Sequence, residues 1–187
     1  MATDKEYIQS ELLVIRYLKG HAQAFDELVR AWEKPLFYYI RRLVDSEQDA
    51  WDTMQEVWIK VSRTIRRLRD PAAFPAWVYK LARRCAIDHL RKNSAFKLLP
   101  ETEAPPESTG DEGTALSLSL NAEELHWGLS RLSRHHREVL ILHYLEGFPL
   151  ADIGDVTGVP VGTVKSRIYS AKKELRVMLQ QERSRYE

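Results

Sequence analysis

The twenty-five residues from Pro100 to Glu124 carry seven acidic side chains, no basic one and no aromatic ring. Pro100, Pro105, Pro106, Gly110 and Gly113 interrupt them further. Such a stretch buries too little apolar surface to offset its ordering entropy, about 1–2 kcal/mol per residue for the backbone alone. Residues 100–122 are therefore expected to form a flexible acidic linker. The 187-residue chain then has room for two small domains, over 1–99 and 123–187. Each is near the lower limit for a self-sufficient core. Apolar residues make up 44% of the chain, which lets both flanks fold and excludes wholesale disorder.

Charge divides in the same places. Met1 to Leu99 holds 18 basic and 13 acidic residues, and Leu125 to Glu187 holds 10 and 7, so the three blocks carry +5, −7 and +3. The formal net charge of +1 argues against nucleic acid only until it is resolved into these parts. The acidic strap can fold back on either basic flank. No run approaches the ~18 apolar residues of a membrane span. The polar, mixed-charge opening from Met1 to Glu11 does not read as a secretory signal. A single cysteine, Cys85, excludes a disulfide framework and a multi-cysteine zinc site. A soluble, cytoplasmic protein without membrane insertion is expected.

Both flanks show helical periodicity and no convincing period-two strand, so the expected fold is all-α, two small helical domains joined by the linker. Asp45 and Ser46 can cap a helix running toward Arg67, and Pro75 suits the first turn of another reaching about Lys92. Pro35 is expected to break or kink a helix around Phe25 to Val44. Asn121 and Glu124 have the spacing of a capping box. Gly147, Gly158 and Pro160 punctuate the C-terminal block into short helices.

From Leu150 the pattern is helix, glycine-containing turn and helix. At about 100° per residue, Val164, Ile168, Ala171, Leu175 and Met178 share one face of the last helix. Lys165, Ser166, Tyr169, Lys172, Lys173 and Arg176 share another. An apolar seam opposite a cationic, hydroxyl-bearing face suits a helix that lies in the DNA major groove. A solvated face on an ordinary helical hairpin accounts for the same charges.

Two N-terminal helices have faces of contrasting chemistry. Between Ser46 and Ile65, Ala50, Met54, Val57 and Val61 line one side with Trp51 and Trp58 beside them. Asp49, Asp52, Gln55, Glu56 and Ile59 lie on the other, a surface suited to docking a protein or simply to solvation with helix-spaced pairing to Lys60 or Arg63. Along the helix from Pro75, Val78, Leu81, Ala82, Cys85 and Ala86 form the apolar arc. Lys80, Arg83, Arg84 and Arg91 crowd the remainder, with Phe74 and Trp77 at the start and Arg66, Arg67 and Arg69 just before. Cations beside aromatic faces are the parts of a single-strand binding surface. Either aromatic alone fits a core position equally well.

Catalysis is not expected, and no catalytic residue, cofactor or metal is assigned. His126, His135, His136 and His143 form no metal-ligating pair with a carboxylate between, and no phosphate-cradling glycine loop or nucleophile elbow is present. A stand-alone helix-turn-helix repressor would explain Leu125 to Arg176 but leave the N-terminal faces without a role.

Two segments carry a family resemblance. The first is Asp49-Ala50-Trp51-Asp52-Thr53-Met54-Gln55-Glu56-Val57-Trp58 with Phe74-Pro75-Ala76-Trp77-Val78-Tyr79-Lys80-Leu81-Ala82-Arg83 and Ile87-Asp88-His89-Leu90-Arg91. The second is Arg137-Glu138-Val139, Tyr144-Leu145-Glu146-Gly147 and Gly158-Val159-Pro160-Val161-Gly162-Thr163-Val164-Lys165-Ser166-Arg167. In this order across a short linker, they resemble conserved regions two and four of bacterial RNA polymerase sigma factors of the extracytoplasmic-function (ECF) group. The resemblance implies a factor that binds core RNA polymerase, recognises the −35 and −10 promoter elements and promotes melting. Asp49, Asp52, Gln55, Glu56 and Ile59 would dock on the clamp coiled coil, with the flap region a second polymerase contact. Arg66, Arg67, Arg69, Phe74, Trp77, Lys80, Arg83, Arg84 and Arg91 would capture the melted −10 strand. Thr163, Lys165, Ser166, Tyr169, Ser170 and Lys173 would meet the −35 element, with Arg167 on phosphate or in packing. The linker would thread the polymerase toward its active-site cleft, its carboxylates mimicking RNA. An anti-sigma factor is a further partner common in the family. His89, Cys85, Leu150-Ala151-Asp152 and Tyr169 depart from the usual family residues; Tyr169 alters the reading face, and Cys85 and His89 are expected in or near the core.

Overall fold

The computed structural model describes residues 4–93 and 122–183, and every regular element among them is helical. The linker expected at 100–122 and the Asn121 cap lie outside the described residues. Four helices build the first domain: α1 (Asp4–Leu18), α2 (Gln23–Arg41), α3 (Glu47–Thr64) and α4 (Phe74–Asn93). Short 3-10 turns at Ile65–Arg67 and Pro71–Ala73 join α3 to α4. The second domain comprises α5 (Ala122–Arg131), α6 (Arg134–Leu140), a π-helical continuation over Ile141–Leu145, α7 (Leu150–Thr157) and α8 (Val161–Arg183).

Ser46 starts α3 as expected: its Oγ accepts the Asp49 backbone N–H at 3.0 Å. Asp70 does the same for the second 3-10 turn, accepting from the Ala72 N–H. Pro35, by contrast, does not break α2, which runs unbroken from Gln23 to Arg41. A proline there forfeits one backbone hydrogen bond. Burial of Ala24, Leu28, Trp32, Leu36, Tyr39 and Ile40 along one face offsets that loss.

The core of the first domain forms where this face of α2 meets Ala50, Met54, Val57 and Val61 of α3 and Val78, Ala82, Cys85 and Ala86 of α4. Trp32 sits edge-on to both Phe74 and Tyr79 at its centre. In the second domain Val164, Ile168, Ala171, Leu175 and Leu179 of α8 pack against α5, α6 and α7. Met178 stands at the margin of this seam rather than in it. Gly128 eases the close approach of α5 to α8, because a Cβ there would displace the Leu175 Cδ1 methyl. Helix α7 also packs against α4, so the two domains touch.

Candidate nucleic-acid interface

Helix α7 ends at Gly158, whose φ of +76° places it in the left-handed region and whose N–H bonds the Gly154 carbonyl at 2.8 Å. Glycine adopts this conformation without a Cβ clash, so the chain reverses tightly into α8. The buried seam of α8 turns its other side to solvent. Lys165, Tyr169, Ser170 and Lys173 are exposed there, while Thr163, Ser166 and Arg167 are half-buried. The Ser166 hydroxyl donates to the Thr163 carbonyl at 3.0 Å. The helix thus presents cations and hydroxyls on the side away from its own domain.

On α4 the basic residues separate into two groups. Trp77, Lys80, Arg84 and Arg91 fall within about 60° of arc at 100° per residue. Lys80, Arg84 and Arg91 are exposed along it, and Trp77 is half-buried at its start. Arg66, Arg67 and Arg69 are exposed in the connection just before, with the Arg66 guanidinium 5.9 Å above the Tyr17 ring. Two residues grouped with them by sequence are placed otherwise. Phe74 is fully buried between Trp32 and Trp77, so it supports Trp77 from beneath and offers no face to a base. Arg83 lies round the helix, where its Nε donates to Glu138 Oε1 of the second domain at 2.9 Å.

The acidic face of α3 is also partly occupied. Asp52, Gln55 and Ile59 are exposed, Ile59 at 49%. Glu56 forms an ion pair with Lys60 one turn on, at 2.7 Å, and the hydrogen bond from Lys60 draws its carboxyl below the usual range. Asp49 is half-buried and lies 2.7 Å from His89 of α4. Trp51, beside this face, is 40% exposed and stacks on Phe37 with ring centroids 4.2 Å apart.

Sequence reasoning missed the residues between the domains. Glu138 is 2% exposed and its Oε1 also accepts from Tyr39 at 2.8 Å. Burial, reinforced by Glu138, pushes the Tyr39 phenol well above its ordinary range. Glu146 accepts from Tyr79 at 2.6 Å, while burial raises its carboxyl against the effect of that bond. No local pattern marks pairs separated by 67 or 99 positions. Among the described residues no group of three or more His, Cys, Asp or Glu side chains is placed to hold a metal, and no helix is long and apolar enough to cross a membrane.

Comparisons with known proteins agree with this geometry. Residues 28–96 match the family model for sigma-70 region 2, and residues 123–175 match that for sigma-70, region 4. The RNA polymerase sigma-H factor of Pseudomonas aeruginosa is 31% identical over 185 residues, covering 92% of this chain and 94% of that protein. The ECF RNA polymerase sigma factor SigW of Bacillus subtilis is 26% identical over 176 residues, covering 86% and 91%. In fold, the chain is similar to CnrH, solved in complex with the cytosolic domain of CnrY, with a TM-score of 0.67 at 21% identity over 92% of this chain and 98% of that one. Two helical domains with these regions define a transcription-initiation protein that recognises promoters. The chain belongs to the sigma-70 family of RNA polymerase sigma factors, in its extracytoplasmic-function group.

Proposed function

We propose that this chain docks on core RNA polymerase through the exposed side of α3, reads a −35 element with α8 and captures a melted −10 strand on α4. The observation that carries this reading is the coexistence of chemically opposite faces: a cationic helix-turn-helix face on α8, and an acidic, Ile59-bearing face on α3. A repressor has use for the first and none for the second.

In this reading Asp52, Gln55, Glu56 and Ile59 meet the clamp coiled coil of the polymerase, with Asp49 held behind them, and the second domain engages the flap region. Thr163, Lys165, Ser166, Tyr169, Ser170 and Lys173 face the major groove, with Arg167 toward phosphate. Trp77 offers its ring to an extruded base while Lys80, Arg84, Arg91, Arg66, Arg67 and Arg69 follow the strand. Phe74 serves by fixing Trp77. The chain acts in the cytoplasm, catalyses no reaction itself and takes no cofactor. An anti-sigma protein is the further partner class, as the anti-sigma factor NepR is for the sigma factor RpoE of Bartonella quintana.

Adding the purified chain to sigma-free core polymerase on a pool of genomic promoter fragments tests the reading. Promoter-specific transcripts that depend on both proteins are expected. Duplex binding by the chain alone, with no transcript from any fragment, would overturn it in favour of a repressor.

A further inference from the structure

Tyr17 stands where α1 meets the connection between α3 and α4. Its side chain is half-buried, and the exposed Arg66 guanidinium lies over its ring, 5.9 Å from the centroid. Phe25 of α2 packs against the same ring with centroids 5.2 Å apart, and Trp58 of α3 meets Phe25 edge-on at 6.2 Å. Rings from three helices thus hold Tyr17 in place. The neighbouring Arg16 is paired with Glu27 at 3.3 Å. Arg66 makes no ion pair among the described residues, and its contact is the Tyr17 ring.

A cation over an aromatic face at an exposed site gains little by itself. The same two groups are, however, the two walls of a base-stacking slot, because unpaired bases stack on aromatic rings and on the planar guanidinium of arginine. A base between two such walls needs about 6.8 Å, twice the stacking spacing of about 3.4 Å. The observed 5.9 Å falls short of that by about 1 Å, which rotation of the exposed Arg66 side chain supplies. Position favours the same use. The slot lies at one end of the connection from Ile65 to Ala73, and Trp77 lies just past the other. Arg67 and Arg69 are exposed between them, and α1 packs against the Pro71–Ala73 turn. A strand held at Trp77 and led along these cations arrives at Tyr17.

We propose that Tyr17 and Arg66 form a second base-stacking site, which takes an unpaired nucleobase of the single strand between the Tyr17 ring and the Arg66 guanidinium. The proposal rests on the reading of α4 and its preceding connection as a single-strand surface. It moves Arg66 from following phosphates to closing on a base, and it makes α1 an element that touches DNA. Every base has a π-face, so the slot accepts any base and selects single strand over duplex, whose bases are already stacked.

The test uses the full-length chain, alone and assembled with core polymerase. The probe is an oligothymidylate of about twelve nucleotides, within the range that single-strand binding folds cover, with 5-iodouracil in place of thymine. Irradiation joins iodouracil to an aromatic side chain stacked on it, and mass spectrometry of the digested chain locates the adduct. Adducts on Tyr17 and on Trp77 are expected in at least one of the two states. An adduct on Trp77 with none on Tyr17 in either state would overturn the second site and leave the α4 reading intact. Adducts on neither would remove both. Affinity for the unmodified strand then separates stacking from charge. Tyr17→Phe should bind as the wild type does, and Tyr17→Leu should lose about fivefold or more. Arg66→Lys keeps the charge and lacks the plane, so it should also bind well below the wild type. Full affinity in Arg66→Lys would identify a phosphate contact and sink the slot. Urea midpoints identify a variant that folds poorly, and the exposed Arg66 keeps the comparison available should Tyr17→Leu be one.

Discussion

His89 Nε2 lies 2.7 Å from Asp49 Oδ1, joining α4 to the first turn of α3 across forty positions of chain. The second oxygen of the same carboxylate accepts from the Ser46 hydroxyl at 2.5 Å, so Asp49 is held from two sides. Of the five residues assigned to the polymerase face, Asp49 is thereby committed to positioning α3 against α4. Asp52, Gln55 and Ile59 remain open beside it.

This arrangement carries an acid signature. The hydrogen bond from Ser46, and after it that from His89, lowers the Asp49 carboxyl from its ordinary value of 3.8. A carboxyl lowered on folding contributes stability that is fully present above 3.8 and is lost as the pH falls through the lowered value. Melting temperatures recorded by circular dichroism from neutral pH downward should fall more steeply below 3.8 in the wild type than in Asp49→Asn. Parallel acid limbs would show that the contact is not maintained in solution.

Charge reversal at Lys80 and Arg84 should remove strand capture and leave binding to core polymerase unchanged. Both side chains are exposed on the α4 stripe. Each cation lost from a single-strand contact lowers the slope of log affinity against log salt by about 0.7. Affinity titrations on a melted −10 template across a salt series measure that slope. Loss of core binding in the same variant would reassign the surface.

Lys165→Ala should weaken binding to a −35 duplex by about 1–3 kcal/mol if the ammonium meets a base edge. The signature is relaxed discrimination at one base position, read by competition among duplexes changed one pair at a time. A uniform loss across all sequences would instead identify a phosphate contact.

Gly158→Ala should cost about 1–2 kcal/mol, because an L-residue with a Cβ is strained at a φ of +76°. Space is not the obstacle, since no atom lies within 4 Å of the added carbon. Urea unfolding should show a lower midpoint with an unchanged m-value. An unaltered midpoint would mean that the turn relaxes without penalty.

Cys85 should resist alkylation in the native protein and react once unfolded. Burial pushes its thiol up, against the opposing influence of Lys60, whose Nζ lies 3.4 Å from Sγ. Only the thiolate is strongly nucleophilic, and here it is both scarce and covered. Mass spectrometry after a maleimide pulse, with and without denaturant, distinguishes the two states.

Much of the fold was legible because helical signals are local. Ser46 as cap, the seam from Val164 to Leu175 and the turn at Gly158 each follow from residues within a few positions of one another. Pro35 misled for the complementary reason. Its local cost is real, and the burial of Trp32, Leu36 and Tyr39 that offsets it comes from other helices. The site divided the same way: α8 presents its exposed cations as periodicity required, whereas Phe74 was indistinguishable from a stacking platform until Trp32 covered it.

The amino-acid sequence by itself determined that the described chain is helical, that an acidic segment parts two basic flanks, and which side chains share each helix face. These depend on the 3.6-residue repeat, on caps and on composition, all of which act over a few residues. Tertiary structure alone decided that Asp49 binds His89 rather than standing free, and that Arg83 and Tyr39 converge on Glu138. Those partners are 40, 55 and 99 positions apart. Which of them meet is set by how packed helices cross, and a buried carboxylate then takes whichever donors that crossing brings within reach.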